Sequence, residues 1–280
     1  MLKKTCWSIV LAGLITTSCE EIMDVSFTGD GANNLVVEGS ITTRAKKHLV
    51  ILSYTGDYFN KDEKVMATGA IVTITDGSDT VRLTEEAAGM YYTGRDVYGI
   101  AGKTYTLNIR LPDGRQFAAS DHLSPVTEID SLQQSQNYNS YSGYGYDVLF
   151  YAQEPQPAGD YYMYLLYLNN ILYSDTITEV NFASDEFVNG NYISEYPVYR
   201  VREQAISKVS TRVTLEMYSI SKAYYNFMIG VLIETKWRGS PWDGPPANIP
   251  GNISNGAAGF FRASDVSRKS RIFMPLPRAN

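Results

Sequence analysis

Short β-type runs separated by turn residues constrain the fold of this chain more than any other feature of its sequence. The runs are rich in Val, Ile, Thr and Tyr, and turn residues such as Asp76-Gly77 and Pro112-Asp113-Gly114 separate them. Alternation is clear where Tyr105, Leu107 and Ile109 would share one face. The first runs cover residues 35–42, 49–54, 70–75, 80–83, 90–93, 104–111 and 116–120. About seven short strands within roughly a hundred residues predict an immunoglobulin-like β-sandwich.

A second group of β-type runs follows and is longer than the first. These runs cover residues 147–153, 161–173, 176–182, 196–201 and 209–218. Residues 161–168 are apolar on both faces, which is typical of a strand buried between two layers. Residues 259–264 are a further predicted strand. The pattern predicts a sandwich domain at 33–122 and a second β-rich domain at 123–280.

One segment breaks the β pattern and predicts a single helix at about 221–236. Ser221 is a suitable N-cap, and the apolar residues after it recur at helical spacing. Those residues are Tyr224, Phe227, Met228, Val231 and Leu232. Lys236 suits the C-terminal end of the helix dipole. We therefore expect a mostly β chain in which one helix packs on the second sheet, and the alternative for this segment is another strand.

The N-terminal residues predict export and lipid attachment. A basic start precedes an apolar run from Trp7 to Ile15, and small residues then lead to Cys19. A run this short cannot span a bilayer as a mature helix. We interpret residues 1–18 as a lipoprotein signal peptide, Cys19 as the lipidated residue and residues 19–32 as a tether. Thr16 is a departure, because an aliphatic residue is usual three positions before the cysteine.

Acidic residues follow the predicted lipidated cysteine. Glu20, Glu21 and Asp24 resemble the signal that sends Bacteroidota lipoproteins to the outer face of the outer membrane. The alternative is a merely solvated linker. The sequence therefore predicts a lipid-anchored outer-membrane protein that faces the cell surface.

Composition excludes several classes of function. Cys6 lies in the predicted signal, so Cys19 is the only mature cysteine, which excludes cysteine catalysis, Cys-ligated zinc and an internal disulfide. Removal of Lys3 and Lys4 with the signal changes the formal net charge from −6 to −8. An acidic body is a poor partner for nucleic acid, whose phosphates need concentrated Lys and Arg.

The chain carries no recognisable catalytic motif. No H-E-x-x-H, C-x-x-C, G-x-S-x-G or phosphate-binding glycine loop is present. His48 and His122 are the only histidines, and we interpret both as surface or strand-end residues. Carboxylate pairs such as Glu85 and Glu86 lie at predicted surface positions. We therefore predict no enzyme activity, no catalytic residue and no cofactor.

Metal binding is also not predicted. Oxygen-bearing residues around Gly190 weakly suggest a calcium loop, but the spacing of an EF-hand is absent. These residues are Asp185, Glu186, Asn189 and Asn191.

Aromatic residues in polar segments are the best binding candidates. A low-complexity tract at 133–146 is expected to be a long exposed loop, because it has little to bury. Rigid rings among adaptable Asn, Ser and Gly residues suit a binding surface, and exposed Trp can stack on sugars or anchor a protein partner. The candidate contacts are Tyr138, Tyr141, Tyr144, Tyr146, Trp237 and Trp242. The alternative is an uninvolved loop and two tryptophans at the edge of the core.

Three tripeptides match the Asp-Ser/Thr-aliphatic pattern of O-glycosylation in exported Bacteroidota proteins. The predicted acceptors are Thr80, Ser131 and Thr176. The pattern is short, and its value is that it agrees with the export signal.

The order of several motifs resembles an uncharacterised Bacteroidota lipoprotein family, catalogued as domain of unknown function 4249. The motifs are residues 35–42, 69–74, 102–107, 128–132 and 252–261. The resemblance covers nearly the whole mature chain. Members are commonly encoded beside TonB-dependent transporters, so the resemblance implies an accessory lipoprotein of a nutrient-uptake complex. It implies no catalytic residues.

We therefore expect a lipid-anchored accessory protein that binds either the transporter or its substrate, which could be a glycan or a peptide. The first sandwich would be a membrane-proximal stalk and the second domain the working part. The alternatives are a structural or adhesive surface lipoprotein and, less favoured, a surface hydrolase. An adhesin should expose a strand for donation to a neighbour, and a hydrolase should show acidic side chains that converge in a deep pocket.

Overall fold

The computed structural model describes residues 34–55, 65–139, 143–206, 209–236 and 249–275. All of these belong to one compact unit, Gly31–Asn280. The strands are β1 (Leu35–Thr42), β2 (Leu49–Tyr54), β3 (Ile71–Thr75), β4 (Thr80–Arg82), β5 (Thr84–Ala87), β6 (Met90–Tyr92), β7 (Thr104–Arg110), β8 (Gln116–His122), β9 (Ser131–Asn139), β10 (Gly143–Gln153), β11 (Tyr161–Leu168), β12 (Ile171–Leu172), β13 (Asn181–Ser184), β14 (Tyr192–Arg202), β15 (Thr211–Ile220), β16 (Ala258–Ser264) and β17 (Val266–Phe273). The helix α1 spans Lys222–Lys236. The prediction of a mostly β chain with one helix is confirmed in the described residues.

The first part of the chain forms the predicted sandwich. One sheet has the order β16-β1-β2-β6-β5 and the other β4-β3-β7-β8. Alternate residues of the strands point into the core between the two sheets, as the period of two requires. The core includes Val37, Leu52, Val72, Leu107 and Phe261, and each is at most 2% exposed.

The C-terminal strand β16 belongs to this first sandwich. It pairs in parallel with β1, and Val37 lies opposite Gly259. Phe261 and Ala263 fill the first core, and the N–H of Ala263 donates to Asp121 Oδ2 at 2.9 Å. The predicted range 123–280 for a second domain therefore does not describe β16. Residues 259–264 were recognisable as a strand, but local sequence does not specify a pairing partner more than 200 residues away in sequence.

The other two sheets form a second sandwich. One has the order β14-β10-β9 and the other has the order β12-β11-β15-β17, in which β13 also pairs with β11. The core of this sandwich includes Leu132, Val148, Phe150, Leu166 and Phe273. Both faces of β11 are covered, because Met163 packs in a separate cluster on the outer side with Tyr218 and Ile220. The apolar character of residues 161–168 is thereby explained.

The low-complexity tract is not a long loop, so that expectation is wrong. Residues 131–139 and 143–153 pair as an antiparallel hairpin, in which Tyr138 lies opposite Tyr144. The hydrogen bonds between β9 and β10 pair the backbone N–H and C=O groups of both strands. A strand then needs only one apolar face to pack against a core. Leu132, Tyr146 and Val148 supply that face, while Gln133 and Ser135 of β9 lie on the exposed face.

Helix α1 confirms the predicted helix. The N–H of Tyr224 donates to Ser221 Oγ at 3.2 Å, which is the expected N-cap contact. The Tyr225 ring lies 5.0 Å from that of Tyr161 on β11, and the Phe227 ring lies 5.3 Å from that of Phe260 on β16. The helix therefore contacts strands of both sandwiches. Within the described residues, no helix is long and apolar enough to cross a membrane.

Candidate functional site

A groove of about 750 Å³ lies between α1 and the outer face of the first sheet. On β1, Val37 and Ile41 point into the sandwich core, so Val36, Glu38 and Ser40 point outward. On β16, Phe261 and Ala263 point inward, so Phe260 and Arg262 point outward. Outward residues of both strands line the groove.

Apolar side chains form most of the groove wall. Leu49 and Ile51 of β2 and Phe260 of β16 line the sheet side. Phe227, Met228 and Val231 of α1 line the opposite side. No residue of α1 is fully buried, so the helix covers the apolar outer face of the sheet only in part. Partial cover of this kind leaves an apolar site open to a ligand.

Among the described residues that line the groove, Arg262 is the basic one. Its guanidinium carbon lies 5.1 Å from the centroid of the Tyr218 ring and 5.2 Å from that of Tyr224. Its Nη1 donates to Ser264 Oγ at 3.0 Å. Within the part of the chain that the structure describes, Arg262 forms no ion pair. The permanently charged guanidinium group is therefore positioned by two aromatic rings and one hydroxyl group.

Other charges close to Arg262 compensate one another. Glu216 is 5% exposed, forms ion pairs with Arg44 and Arg268, and accepts a hydrogen bond from the Tyr218 hydroxyl at 2.6 Å. Burial lowers the pKa of Lys46; Glu216 opposes this shift, and the neighbouring Arg44 and Arg262 add to it. The region around Arg262 thus contains several cations, and Glu216 is already shared by two of them.

The tyrosine candidates divide into exposed and buried residues. Tyr138 is 62% exposed, and its ring lies 4.9 Å from that of Tyr144, so these two form an aromatic pair on the hairpin. Tyr146 is 1% exposed and lies in the second core, which contradicts its prediction as a surface contact. It is buried because it has the same strand parity as Val148 and Phe150. Tyr141, Trp237 and Trp242 lie outside the described residues.

The predicted modification sites have different environments. Thr80 and Thr176 are exposed, and Ser131 is half-buried at the start of β9. Thr176 Oγ1 lies 3.1 Å from Thr178 Oγ1. Exposure makes Thr80 and Thr176 accessible acceptors, and their glycosylation stays a prediction. Cys19 lies outside the described residues, so its lipidation also stays a prediction.

A cluster of three carboxylates was not anticipated from the sequence. One oxygen each of Glu154, Asp160 and Asp185 lies within 4.8 Å of the others. Tyr162 donates its hydroxyl hydrogen to Glu154 Oε1 at 2.7 Å, and the Gly159 N–H donates to Asp185 Oδ2 at 2.8 Å. Burial raises the pKa of Glu154 and of Asp160, and the neighbouring carboxylates add to both shifts.

Clustered carboxylate oxygens could hold a hard cation such as Ca²⁺. Asp185 belongs to the segment that weakly suggested calcium, whereas Glu154 and Asp160 come from a separate loop. Only the fold brings the two loops together, through Asp185 N–H donating to Asp160 O at 3.1 Å. The cluster contains acids without a further feature that identifies a ligand, so the sequence-based prediction of no metal stays a prediction.

Comparison with known proteins gives one family match. A family model described as a domain of unknown function, DUF4249, matches residues 20–270. No curated protein matches the chain in a sequence search.

Proposed function

We propose a binding function for this chain from the premise that it belongs to the DUF4249 family, whose model matches residues 20–270. The protein is a lipid-anchored, surface-facing accessory component of a TonB-dependent nutrient-uptake complex in the outer membrane. Its role is to capture a ligand for the transporter. The protein performs no chemistry on that ligand.

The groove beside α1 is the observation that carries this proposal. Its volume of about 750 Å³ lies in the range of about 300–1,000 Å³ that is usual for small-molecule sites. Its lining is mainly apolar, with Glu38 and Arg262 as its charged residues. Such a wall binds by burial and orients by a few polar groups, which suits capture and release.

The export features of the sequence support the location. A signal that ends at Cys19, followed by acidic residues, agrees with a lipid anchor on the outer membrane. A tethered protein stays at a high local concentration near other components of the same membrane, which favours a stable complex with a transporter.

Affinity purification from native outer membranes tests the proposal. The full chain with a C-terminal tag should recover a TonB-dependent transporter, and a Cys19→Ala variant, which lacks the lipidated residue, should recover far less. If the wild-type chain reaches the outer membrane but recovers no transporter, the proposed association is wrong.

A further inference from the structure

We propose that the groove binds an organic anion with an apolar body, and that the anionic head pairs with Arg262. The inference rests on the proposed role in ligand capture and names the chemical class of that ligand. A long-chain carboxylate is the simplest compound with this chemistry.

The walls of the groove specify the apolar body. Phe227, Met228 and Val231 of α1 line the groove together with Ile51 and Phe260 of the sheet. The rings of Phe227 and Phe260 are in contact, with centroids 5.3 Å apart. Burial of apolar surface stabilises a complex in proportion to the area removed from water, so an alkyl or aromatic body gains most by filling this space. A strongly hydrated ligand would lose water without finding partners on these walls.

Arg262 specifies the charge of the head. Its guanidinium cannot lose its proton, and it carries five N–H donors. The structure gives it one hydroxyl acceptor, Ser264 Oγ, and two aromatic rings. Within the described residues, no carboxylate lies within ion-pair distance of it. Asp121 attracts it only at longer range, so a carboxylate from a ligand would supply a direct ion pair, and charge-assisted pairs with Arg are among the stronger hydrogen bonds.

The acids near the groove are already engaged. Glu38 lines the groove, and it already interacts with another group of the protein. Asp121 is 7% exposed, and its Oδ2 accepts the N–H of Ala263. Glu216 is shared by Arg44 and Arg268. An anion is therefore favoured over a cation at the Arg262 end of the groove.

Titration calorimetry on the full chain with Cys19→Ser tests this inference, because the substitution removes the predicted attachment site for the protein's own acyl chains. The probes are decanoate, decanol and decylammonium, each below its micelle concentration. We expect one decanoate to bind per chain. Decanol and decylammonium should bind at least about tenfold more weakly, because the loss of one charge-assisted hydrogen bond usually lowers affinity by about that factor.

Three variants separate charge from shape. Arg262→Gln should weaken decanoate binding by about tenfold and leave decanol unchanged. Arg262→Lys keeps the charge but loses the planar fork, so it should retain only part of the preference for the anion. Val231→Trp should block all three probes by filling the groove. Arg82→Gln changes an exposed arginine on β4 and should bind like the parent chain. Circular dichroism establishes that each variant is folded.

Several outcomes would overturn the inference. They are equal affinity for decanoate and decanol, preference for decylammonium, and unchanged decanoate binding in Arg262→Gln. A dimer that Val231→Trp dissociates would also overturn it, because a second copy would then occupy the groove. If these results appear while a transporter is still recovered from membranes, only the ligand class is wrong. If decanoate binds as expected but no transporter is recovered, only the proposed function is wrong.

Discussion

At the scale of single residues, burial of His48 makes the stability of the fold depend on pH in the weakly acidic range. This residue is 1% exposed, and its backbone N–H donates to Thr93 Oγ1 at 2.8 Å. Its Nε2 lies 3.1 Å from the carbonyl oxygen of Val97, while its Nδ1 is buried without a partner among the described residues. Burial, with the nearby Lys46, lowers the pKa of His48 from 6.5 to about 4.

The lowered pKa predicts the direction of the pH dependence. Between pH 6.5 and about 4, the unfolded chain binds a proton at His48 and the folded chain does not. The free energy of unfolding therefore decreases as the pH falls through this window, and the part due to His48 is about 2 kcal/mol between pH 7 and pH 5. Urea unfolding at both pH values measures it. His48→Gln should remove this part of the difference, whereas His122→Gln, at an exposed position, should retain it.

Residue environments could be predicted from sequence only where strand parity decides them. Parity places Tyr138, which lies opposite Tyr144, on the same face of the hairpin as Tyr146. Their exposures of 62% and 1% differ because Tyr138 lies near the end of β9, whereas Tyr146 lies in the second core. Parity alone does not give this difference, and the polar composition concealed the strand itself. Arg262 could not be identified as a binding residue, because the rings of Tyr218 and Tyr224 reach it from other elements. For the same reason, the sequence could not connect Glu154 and Asp160 with Asp185, because only the fold brings the three carboxylates within 4.8 Å of one another.

At the scale of elements, β16 depends on a backbone approach that only glycine allows. Gly259 has a φ of +100°, and a Cβ atom there would lie 2.0 Å from the carbonyl oxygen of Val37 on β1. Side-chain atoms never approach a backbone oxygen so closely, so any larger residue must push β16 away from β1. The parallel pairing of these strands therefore requires glycine at 259.

Gly259→Ala should lower the free energy of unfolding by at least about 3 kcal/mol, since it combines positive-φ strain with loss of strand pairing. Gly256→Ala is the matched control, because Gly256 has a φ of +75° and nothing within 4 Å of its added Cβ. It should cost only about 1 kcal/mol, from the backbone conformation. Thermal and urea unfolding of the two variants compare these costs, and equal costs would contradict the role of the close approach.

Most elements could be predicted from the sequence, because each depends on local periodicity and turn residues. The helix is the clearest case, with Ser221 at its cap and apolar residues at helical spacing. The groove could not be predicted, because it exists only where α1 and β16 meet the outer face of β1. Its lining residues come from segments that are more than 200 residues apart in sequence.

At the scale of the whole molecule, the C-terminal segment connects the two sandwiches. β16 completes the first sheet and β17 pairs with β15 in the second, and only Asp265 separates them. Asp265 Oδ1 accepts the hydroxyl hydrogen of Thr43 at 2.6 Å, and its Oδ2 accepts the N–H of Val126 at 3.0 Å. The Ser219 N–H donates to the carbonyl oxygen of Asp265 at 3.1 Å. One residue thus joins the first sandwich, the connection after it and the second sandwich.

This arrangement predicts that the two sandwiches unfold together. Asp265→Ala removes the charged acceptor for both Thr43 and Val126, and it should cost about 3 kcal/mol, because hydrogen bonds to charged groups contribute about 1.5–3 kcal/mol each. Hydrogen exchange measured by mass spectrometry should then be faster by about a hundredfold in β2 of the first sandwich and in β10 of the second. Asp113→Ala, which removes only a local contact to Arg115, should change exchange less than about fivefold. Acceleration confined to one sandwich would show that the two unfold independently, and the C-terminal segment would then be a simple connection between separate folding units.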